Sequence, residues 1–206
     1  MGNEPVISPE DRTIGTRHRV LPLLAGRNVE LRAVFQTDYN WIYRTALSAG
    51  SIWSWRLAGS TPSPESFPAL LWSDVQVQMV ATRRGAAEPV ALFQLYNSRP
   101  EDGTGYVAVM LDEAVAGQGW PHEGTALVLD YVFTSRHLRK VYFEATDLNA
   151  NSFKSATRWL LVEEGVLKEH RHFDGRYVDL HIYALYRTAW LEQRDRWRAG
   201  LADTSS

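Results

Sequence analysis

The chain contains no cysteine, and this one absence removes several classes of function. Disulfide bonds, thiolate zinc sites and cysteine nucleophiles are excluded, and a reducing compartment is favoured. Long apolar runs are also missing, since no stretch approaches the roughly 18 residues that a membrane-spanning helix needs. The N-terminal sequence lacks the apolar segment of a signal peptide. A cytoplasmic protein with no membrane partner is therefore expected.

An excess of positive charge is absent as well. The 22 Lys and Arg residues face 24 Asp and Glu residues, which gives a formal net charge of −2 at pH 7. Nucleic acid is therefore not expected as a general partner. What the chain does have is 206 residues, of which 45% are hydrophobic, enough for one domain with a sizeable core. We expect a flexible arm over residues 1–26, one domain over 27–192 and a C-terminal tail over 193–206.

Hydrophobic periodicity predicts an alternation of strands and helices. The order of elements is β-α-α-β-β-β-α-β-α-β-β, an α/β or α+β fold class, and short links between strands favour antiparallel pairing. One helix is predicted from Pro121 to about Arg136 and another over residues 151–164, ended by Gly165. A hairpin with an Asp-Gly turn follows, and its last strand is predicted over residues 176–190.

The stretch "AGQGWPHEG", residues 116–124, lies between a predicted strand and a predicted helix. One interpretation is a tight turn before the helix. The other is an anion site, because free N–H groups and the helix dipole converge at a helix N-terminus. Gly117 and Gly119 carry no Cβ, so a phosphate could approach the backbone closely. The stretch matches neither a Walker loop nor the dinucleotide fingerprint.

Three stretches in sequence, "GYVAVMLDEAVAGQGWPHEGTALVLDYVF", "LRKVYFEATDLNANS" and "EEGVLKEHRHFDGRYVDLHIYALYRTAW", resemble the GNAT superfamily of acyl-CoA-dependent N-acyltransferases. The pattern is most similar to the branch of ribosomal-protein N-terminal acetyltransferases. The resemblance implies a mixed, mostly antiparallel central sheet of about six to seven strands flanked by about four helices. It also implies acetyl-CoA or another acyl-CoA as co-substrate, and an amine acceptor that is a small molecule or a protein N-terminus.

The same resemblance implies where the acyl-CoA binds. Loop N–H groups would hold the pyrophosphate, strand amides would polarise the thioester carbonyl, and an asparagine would contact the pantetheine arm. The implied cofactor-binding residues are Val109, Met110, Leu111, Gly117, Gln118, Gly119, Trp120 and Asn149. Glu123 matches an acid that is usual at the start of this helix in the same branch, and Glu164 and Asp179 match acids that are more often structural than catalytic.

Departures from the pattern keep two alternatives open. Ala116 replaces the leading Arg/Gln of the loop, Pro121 removes one N–H group, and Ala156 stands where a tyrosine often protonates the leaving thiolate. The donor could instead be an acyl carrier protein or an aminoacyl-tRNA, with a basic rim at Arg136, Arg139 and Lys140. The other alternative is a catalytically silent module that binds acyl-CoA or another ligand.

Candidate catalytic residues are Glu144 and Ser152. Glu144 lies in an otherwise apolar strand, where burial would raise its pKa toward that of a general base; alternatively, it is an exposed residue paired with a cation. Ser152 could replace the missing tyrosine as a proton relay, or could be a helix cap.

Candidate acceptor-binding residues are Trp53, Trp55, Arg56 and His172. The first three would form an aromatic site with one cation, suited to a carboxylate or an aromatic group; alternatively, the tryptophans pack in the core. His172 could face the acceptor or be a solvated strand residue. No metal site is expected, because no histidine pair has helical zinc spacing. The aromatic content of the surface raises a homodimer as an alternative to a monomer.

Overall fold

A single mixed sheet carries the architecture. The computed structural model describes residues 23–48, 50–52, 54–112, 120–153, 157 and 160–202. Its strands are β1 Leu24–Ala25, β2 Val29–Ala33, β3 Val75–Arg83, β4 Pro89–Arg99, β5 Thr104–Leu111, β6 Lys140–Thr146, β7 Val162–Phe173 and β8 Arg176–Tyr186. They form one eight-stranded sheet in the order β1-β2-β3-β4-β5-β6-β8-β7. The described helices are α1 Tyr39–Ala46, α2 Phe67–Leu71, α3 Trp120–Ser135 and α4 Arg187–Ala202.

Strand pairing is antiparallel throughout the described sheet except between β5 and β6, which are parallel. β5 and β6 can run parallel because the long connection through α3 returns the chain to the same end of the sheet. The β7–β8 hairpin closes at Asp174 and Gly175, whose φ angles of 47° and 74° lie in the left-handed region. An Asp-Gly pair is suited to such a turn. The turn predicted from the sequence is therefore present.

Helices cover both faces of the sheet and create two core layers. Leu92 and Phe93 are consecutive on β4, so their side chains point to opposite faces. Leu92 packs with Ile42 of α1 and Leu71 of α2, and all three are fully buried. Phe93 belongs to the other layer, with Phe133 of α3. Each such side chain contributes about 1.5–3 kcal/mol on burial.

The approach of α3 to the sheet depends on Gly124 in its first turns. A Cβ at this position would lie 2.8 Å from Cζ of Phe93, too close for an unchanged core. The Phe93 side chain is only 1% exposed, so it has little room to move. Glycine therefore lets the helix pack directly on β4.

Two predicted boundaries are wrong. The helix predicted over residues 151–164 does not extend to its predicted end, because Val162, Glu163 and Glu164 begin β7. Val162 and Glu163 pair with Ala184 and Tyr183 of β8, so a long-range ladder overrides the local pattern. The last strand ends at Tyr186 rather than Trp190, because α4 begins at Arg187. Trp190 is only 4% exposed and packs in the α3 layer.

None of the helices in the described ranges is both long enough and apolar enough to cross a membrane.

Candidate active site

The β5–β6 pair is joined at one end only. Its register runs from Thr104↔Lys140 to Tyr106↔Tyr142, which is three positions. Beyond Tyr106 and Tyr142, β5 continues to Leu111 and β6 continues to Thr146, with no further ladder between them in the described part of the chain. The facing edges of the two strands are therefore unpaired over these later residues, and we call this region the β5–β6 gap.

Backbone direction decides which amides face the β5–β6 gap. The N–H group of Asp112, just after β5, donates to the carbonyl of Val90 at 3.1 Å, on the β4 side. Because N–H groups of successive strand residues point to opposite edges, the N–H group of Met110 also faces β4. Those of Val109 and Leu111 face β6. Of the three strand amides named from the sequence, Val109 and Leu111 are placed to meet a ligand in the gap.

A row of tyrosines crosses the sheet where the β5–β6 gap begins. The ring centroids of Tyr96 and Tyr106 are 5.6 Å apart, and those of Tyr106 and Tyr142 are 5.1 Å apart. Burial, followed by the negative charge of Glu144, raises the pKa of both Tyr96 and Tyr106. Both hydroxyls are therefore protonated at neutral pH and can donate hydrogen bonds. No local sequence pattern predicts this row, because its members lie on three separate strands.

Glu144 lies two residues beyond Tyr142 on the same face of β6. Its carboxylate is 28% exposed, and Oε2 lies 3.5 Å from Nη2 of Arg171 on β7. The structure therefore realises the alternative of a partly exposed strand residue paired with a cation. The same position also places a carboxylate beside Tyr106, at the closed end of the β5–β6 gap.

A cavity of about 630 Å³ opens on this side of the sheet. Three segments enclose it: the turn that follows α1, the end of β6 with the turn after it, and the end of β7. The described lining residues are Gly50, Ser54, Ala58, Gly59, Thr146, Leu148, Asn149, His170, Arg171, His172 and Phe173. We refer to it as the hairpin cavity, because β7 belongs to the β7–β8 hairpin.

Two residues named from the sequence line the hairpin cavity. His172 is one, and its ring also contacts Tyr177 edge-on at a centroid distance of 5.2 Å. Asn149 is the other, in the turn after β6, where its N–H group donates to the carbonyl of Thr146 at 2.9 Å. Contact of Asn149 with a pantetheine arm and of His172 with an acceptor stay predictions.

Trp55 and Arg56 face inward from the turn after α1. Trp55 is 6% exposed and belongs to the α1–α2 core layer, as the core-packing alternative expected. The guanidinium of Arg56 donates to the carbonyl of Leu71 at 2.7 Å and to Oε1 of Gln94 at 3.1 Å. Its ring neighbours are Trp55 and Tyr96, at 5.8 Å and 5.4 Å from its Cζ. These contacts fix the turn to the sheet, and acceptor binding by either residue stays a prediction.

Several predicted site residues lie outside the described ranges. They are Trp53, Gly117, Gln118 and Gly119, together with Ala116 and Ala156, which mark departures from the family pattern. Trp120 begins α3 and Ser152 lies in a 3₁₀ turn over Ala150–Phe153, but their side chains lie outside the described part of the structure. The pyrophosphate loop and the serine relay therefore stay predictions.

Glu123 ties the first turn of α3 to the β1–β2 turn. Its carboxylate accepts hydrogen bonds from the backbone N–H groups of Arg27 and Asn28 and from Nδ2 of Asn28, the last at 3.1 Å. Only 7% of Glu123 is exposed. These contacts fix the start of the helix that follows the glycine loop, and they give this acid a structural role.

Glu164 and Asp179 also hold backbone geometry. Glu164 lies 2.6 Å from Nζ of the buried Lys140 and accepts a hydrogen bond from the hydroxyl of Tyr186. Asp179 accepts from the N–H group of Glu169 at 2.9 Å and pairs with Lys168 at 2.6 Å. The structural interpretation of these acids fits both sets of contacts.

The basic residues expected around a carrier-bound donor are not at the open end of the β5–β6 gap. Lys140 pairs with Thr104 in the ladder and is 6% exposed. Nε of Arg139 donates to the carbonyl of Asp102 at 2.9 Å. Arg136 lies just after α3, before β6 begins. All three precede the closed end of the gap, and their role as a rim for a carrier-bound donor stays a prediction.

Within the described ranges, no three His, Asp or Glu side chains lie close enough together to hold a metal ion.

Known proteins resemble this chain in part of its sequence and in its fold. No family model matches the chain. The curated protein "Uncharacterized N-acetyltransferase p20" from Bacillus licheniformis is 25% identical over 87 residues, 42% of this chain and 49% of that protein. The match spans about half the length of that relative.

Solved structures match over most of the chain. Spermidine N-acetyltransferase from Vibrio cholerae, crystallised with CoA and spermine, has a TM-score of 0.71 at 20% identity, covering 80% of this chain and 98% of that one. A chimera of the Vibrio cholerae enzyme SpeG and hSSAT has a TM-score of 0.69 at 19% identity, covering 80% and 98%. The fold is that of the GNAT-type N-acetyltransferases.

The GNAT fold class expected from the sequence is therefore confirmed, with eight strands in the described sheet where about six to seven were expected. The additional strand is the two-residue β1. The expected likeness to the ribosomal-protein branch is not supported by the proteins named here, whose solved members are spermidine N-acetyltransferases.

Proposed function

We propose that the protein transfers an acyl group, acetyl in the simplest case, from acyl-CoA to the amine of a small molecule. The observation that carries the proposal is the β5–β6 gap, where pairing stops after Tyr106↔Tyr142 while both strands continue. A parallel pair that separates in this way offers unpaired amides to an extended ligand. The fold shared with N-acetyltransferases supports the same reading.

The pantetheine arm is suited to the β5–β6 gap because it is narrow and contains amide groups. Its amides can pair with the backbone of Val109 and Leu111 as a third strand would. The thioester then lies toward Tyr106 and Tyr142, at the closed end, and the pyrophosphate lies toward the end of β5 at Leu111. A gap-facing amide of β5 can donate to the thioester carbonyl as negative charge develops there.

The chemistry needs a neutral amine and a proton for the departing sulfur. The amine nitrogen attacks the thioester carbon, the new N–C bond forms, and the C–S bond breaks. Glu144 takes the proton that the amine loses, directly or through a water molecule. The hydroxyl of Tyr106 donates to the departing thiolate, which leaves as the free thiol of CoA, and this assigns to Tyr106 the role that Ala156 cannot perform.

The test combines binding with turnover. Acetyl-CoA binding is measured by calorimetry, and thiol release is measured against a panel of amines with the wild type, Glu144→Gln and the exposed control Glu192→Gln. We expect Glu144→Gln to bind acetyl-CoA as the wild type does and to lose about 100-fold or more in kcat. The control should match the wild type in both measurements.

Two results contradict the proposal. Absence of acetyl-CoA binding at millimolar ligand removes the donor. Tight binding with no thiol release for any amine favours the silent binding module instead.

A further inference from the structure

The titratable side chains that line the hairpin cavity are all basic. Among the described residues that line it, the titratable side chains are His170, Arg171 and His172, and none of the lining residues is an acid. The side chain of Arg171 is 47% exposed, so its planar guanidinium is accessible to a ligand carboxylate. The carboxylate that pairs with Arg171 is that of Glu144, whose Oε2 lies 3.5 Å from Nη2 of Arg171.

β7 carries a bulge immediately before Arg171, so the residues from Arg171 onward start a new register with β8. The ladder with β8 is irregular between Leu167 and Arg171, and Glu169 has a φ angle of 49°. Asp179 holds this conformation by accepting the N–H group of Glu169 at 2.9 Å. Bulges of this kind redirect side chains near functional sites.

Arg171 retains hydrogen-bonding capacity toward a ligand. A guanidinium has five N–H donors, and the contact with Glu144 uses one nitrogen at 3.5 Å. A charge-assisted hydrogen bond is usually 2.7–2.9 Å long, so this pair is loose. A ligand carboxylate can therefore take a bidentate position on Arg171, while the adjacent amine donates a hydrogen bond to the carboxylate of Glu144.

We propose that the acceptor is a small amine with a carboxylate next to it, the chemistry of an α-amino acid, and that Arg171 binds that carboxylate. The inference rests on the proposed function, because it places the acceptor amine at Glu144. A polyamine is disfavoured, since its second ammonium group would lie against Arg171. Arg56, the cation named from the sequence, is replaced in this role by Arg171.

The experiment compares α-amino acids with their carboxamides and with spermidine. Thiol release from acetyl-CoA gives kcat/KM for each amine, and calorimetry with CoA-saturated protein measures acceptor binding independently of turnover. We expect the acids to exceed their amides by about 10- to 100-fold, the effect of one charge-assisted contact. Arg171→Gln should remove this preference without changing the Kd of acetyl-CoA, and Arg171→Glu should shift preference toward spermidine.

The control is Arg176→Gln, an exposed arginine of the same hairpin that does not line the cavity. It should keep the preference of the wild type, and thermal melts should show that all variants are folded. Equal activity toward acids and amides overturns the inference while the transferase proposal stands. Binding of α-amino acids that depends on Arg171, without thiol release, supports the inference and sinks the transferase proposal.

Discussion

The rings of Tyr106 and Tyr142 lie with their centroids 5.1 Å apart at the last paired position of β5 and β6. The ladder ends and the gap begins at this pair. The two phenols therefore lie where we propose that the thioester binds. Glu144, two residues after Tyr142 on the same face of β6, places a carboxylate beside these rings. The proposed proton acceptor and the proposed proton donor therefore lie near each other where the β5–β6 gap begins.

Replacement of Tyr106 by phenylalanine tests the donor. The ring contact is kept while the hydroxyl is lost, so we expect the fold and the Kd of acetyl-CoA to be unchanged. The kcat for thiol release should fall by about 100-fold, the usual effect of a general acid. The exposed Tyr177 provides the control Tyr177→Phe, which should not change kcat. A Tyr106→Phe enzyme with the kcat of the wild type would assign proton donation to another group.

Local patterns explain which parts of the fold could be predicted. The Asp174-Gly175 turn depends on two adjacent residues, so the sequence alone specified it. The end of the helix predicted over residues 151–164 depended instead on pairing with β8, which no local pattern reveals. The strand predicted up to Trp190 failed similarly, because burial against α3 made the tryptophan equally suited to a helix.

The candidate site was only partly accessible from the sequence for the same reason. Glu144 was named because one acid interrupts an apolar strand, a local signal. Its partner Arg171 belongs to another strand and follows a bulge, so its position beside Glu144 needed the structure. Arg56 had the right chemistry in the right segment, but its contacts with Leu71 and Gln94 turn it inward.

Loss of the Glu123 carboxylate should destabilise the protein. Glu123→Ala leaves the N–H groups of Arg27 and Asn28 without their acceptor in a partly buried turn. An unsatisfied buried donor costs about 1–3 kcal/mol, so we expect the free energy of unfolding to fall by about 2 kcal/mol in urea denaturation. Glu192→Ala, at an exposed position of α4, should change it by less than about 0.5 kcal/mol. Equal values for the two variants would show that the turn is held without Glu123.

His181 should make stability depend on pH. Its ring nitrogens lie 2.5 Å from Glu163 and 2.8 Å from Asp147, and these hydrogen bonds raise the pKa of the imidazole. Because the folded pKa exceeds the unfolded value, this stabilisation is complete below about pH 6.5 and is lost as pH rises through the folded pKa. The two carboxylates are 43% and 52% exposed, so solvent limits the effect to about 0.5–1 kcal/mol.

The check is urea denaturation of His181→Asn and of the control His137→Asn, an exposed histidine, at about pH 6 and about pH 9. The His181 variant should lose more stability at the lower pH, whereas the control should lose the same at both. A loss independent of pH would mean that the ring acts by packing on Tyr183, which lies 6.0 Å away.

Removing one charge of the Lys140–Glu164 pair should lower the free energy of unfolding, whereas replacing both residues by apolar ones should lower it much less. Lys140 is 7% exposed at its side chain and Glu164 is 25% exposed. Burial acts to lower the pKa of Lys140, but the hydrogen bond and charge of Glu164 outweigh it and raise that pKa overall. Burial likewise acts to raise the pKa of Glu164, and its hydrogen bonds to Lys140 and Tyr186 outweigh it and lower that pKa.

Glu164→Gln leaves the Lys140 ammonium buried without a counter-charge, so we expect a loss of about 2–3 kcal/mol in urea denaturation. The double variant Lys140→Met with Glu164→Leu removes both charges and should recover most of that loss, because apolar side chains fit the same site without desolvation cost. In the wild type, the contribution of Glu164 is present above its unfolded pKa and is lost as pH falls through the lower folded value. A double variant no more stable than Glu164→Gln would show that the geometry of the pair, rather than its charge, holds the start of β6 against β7.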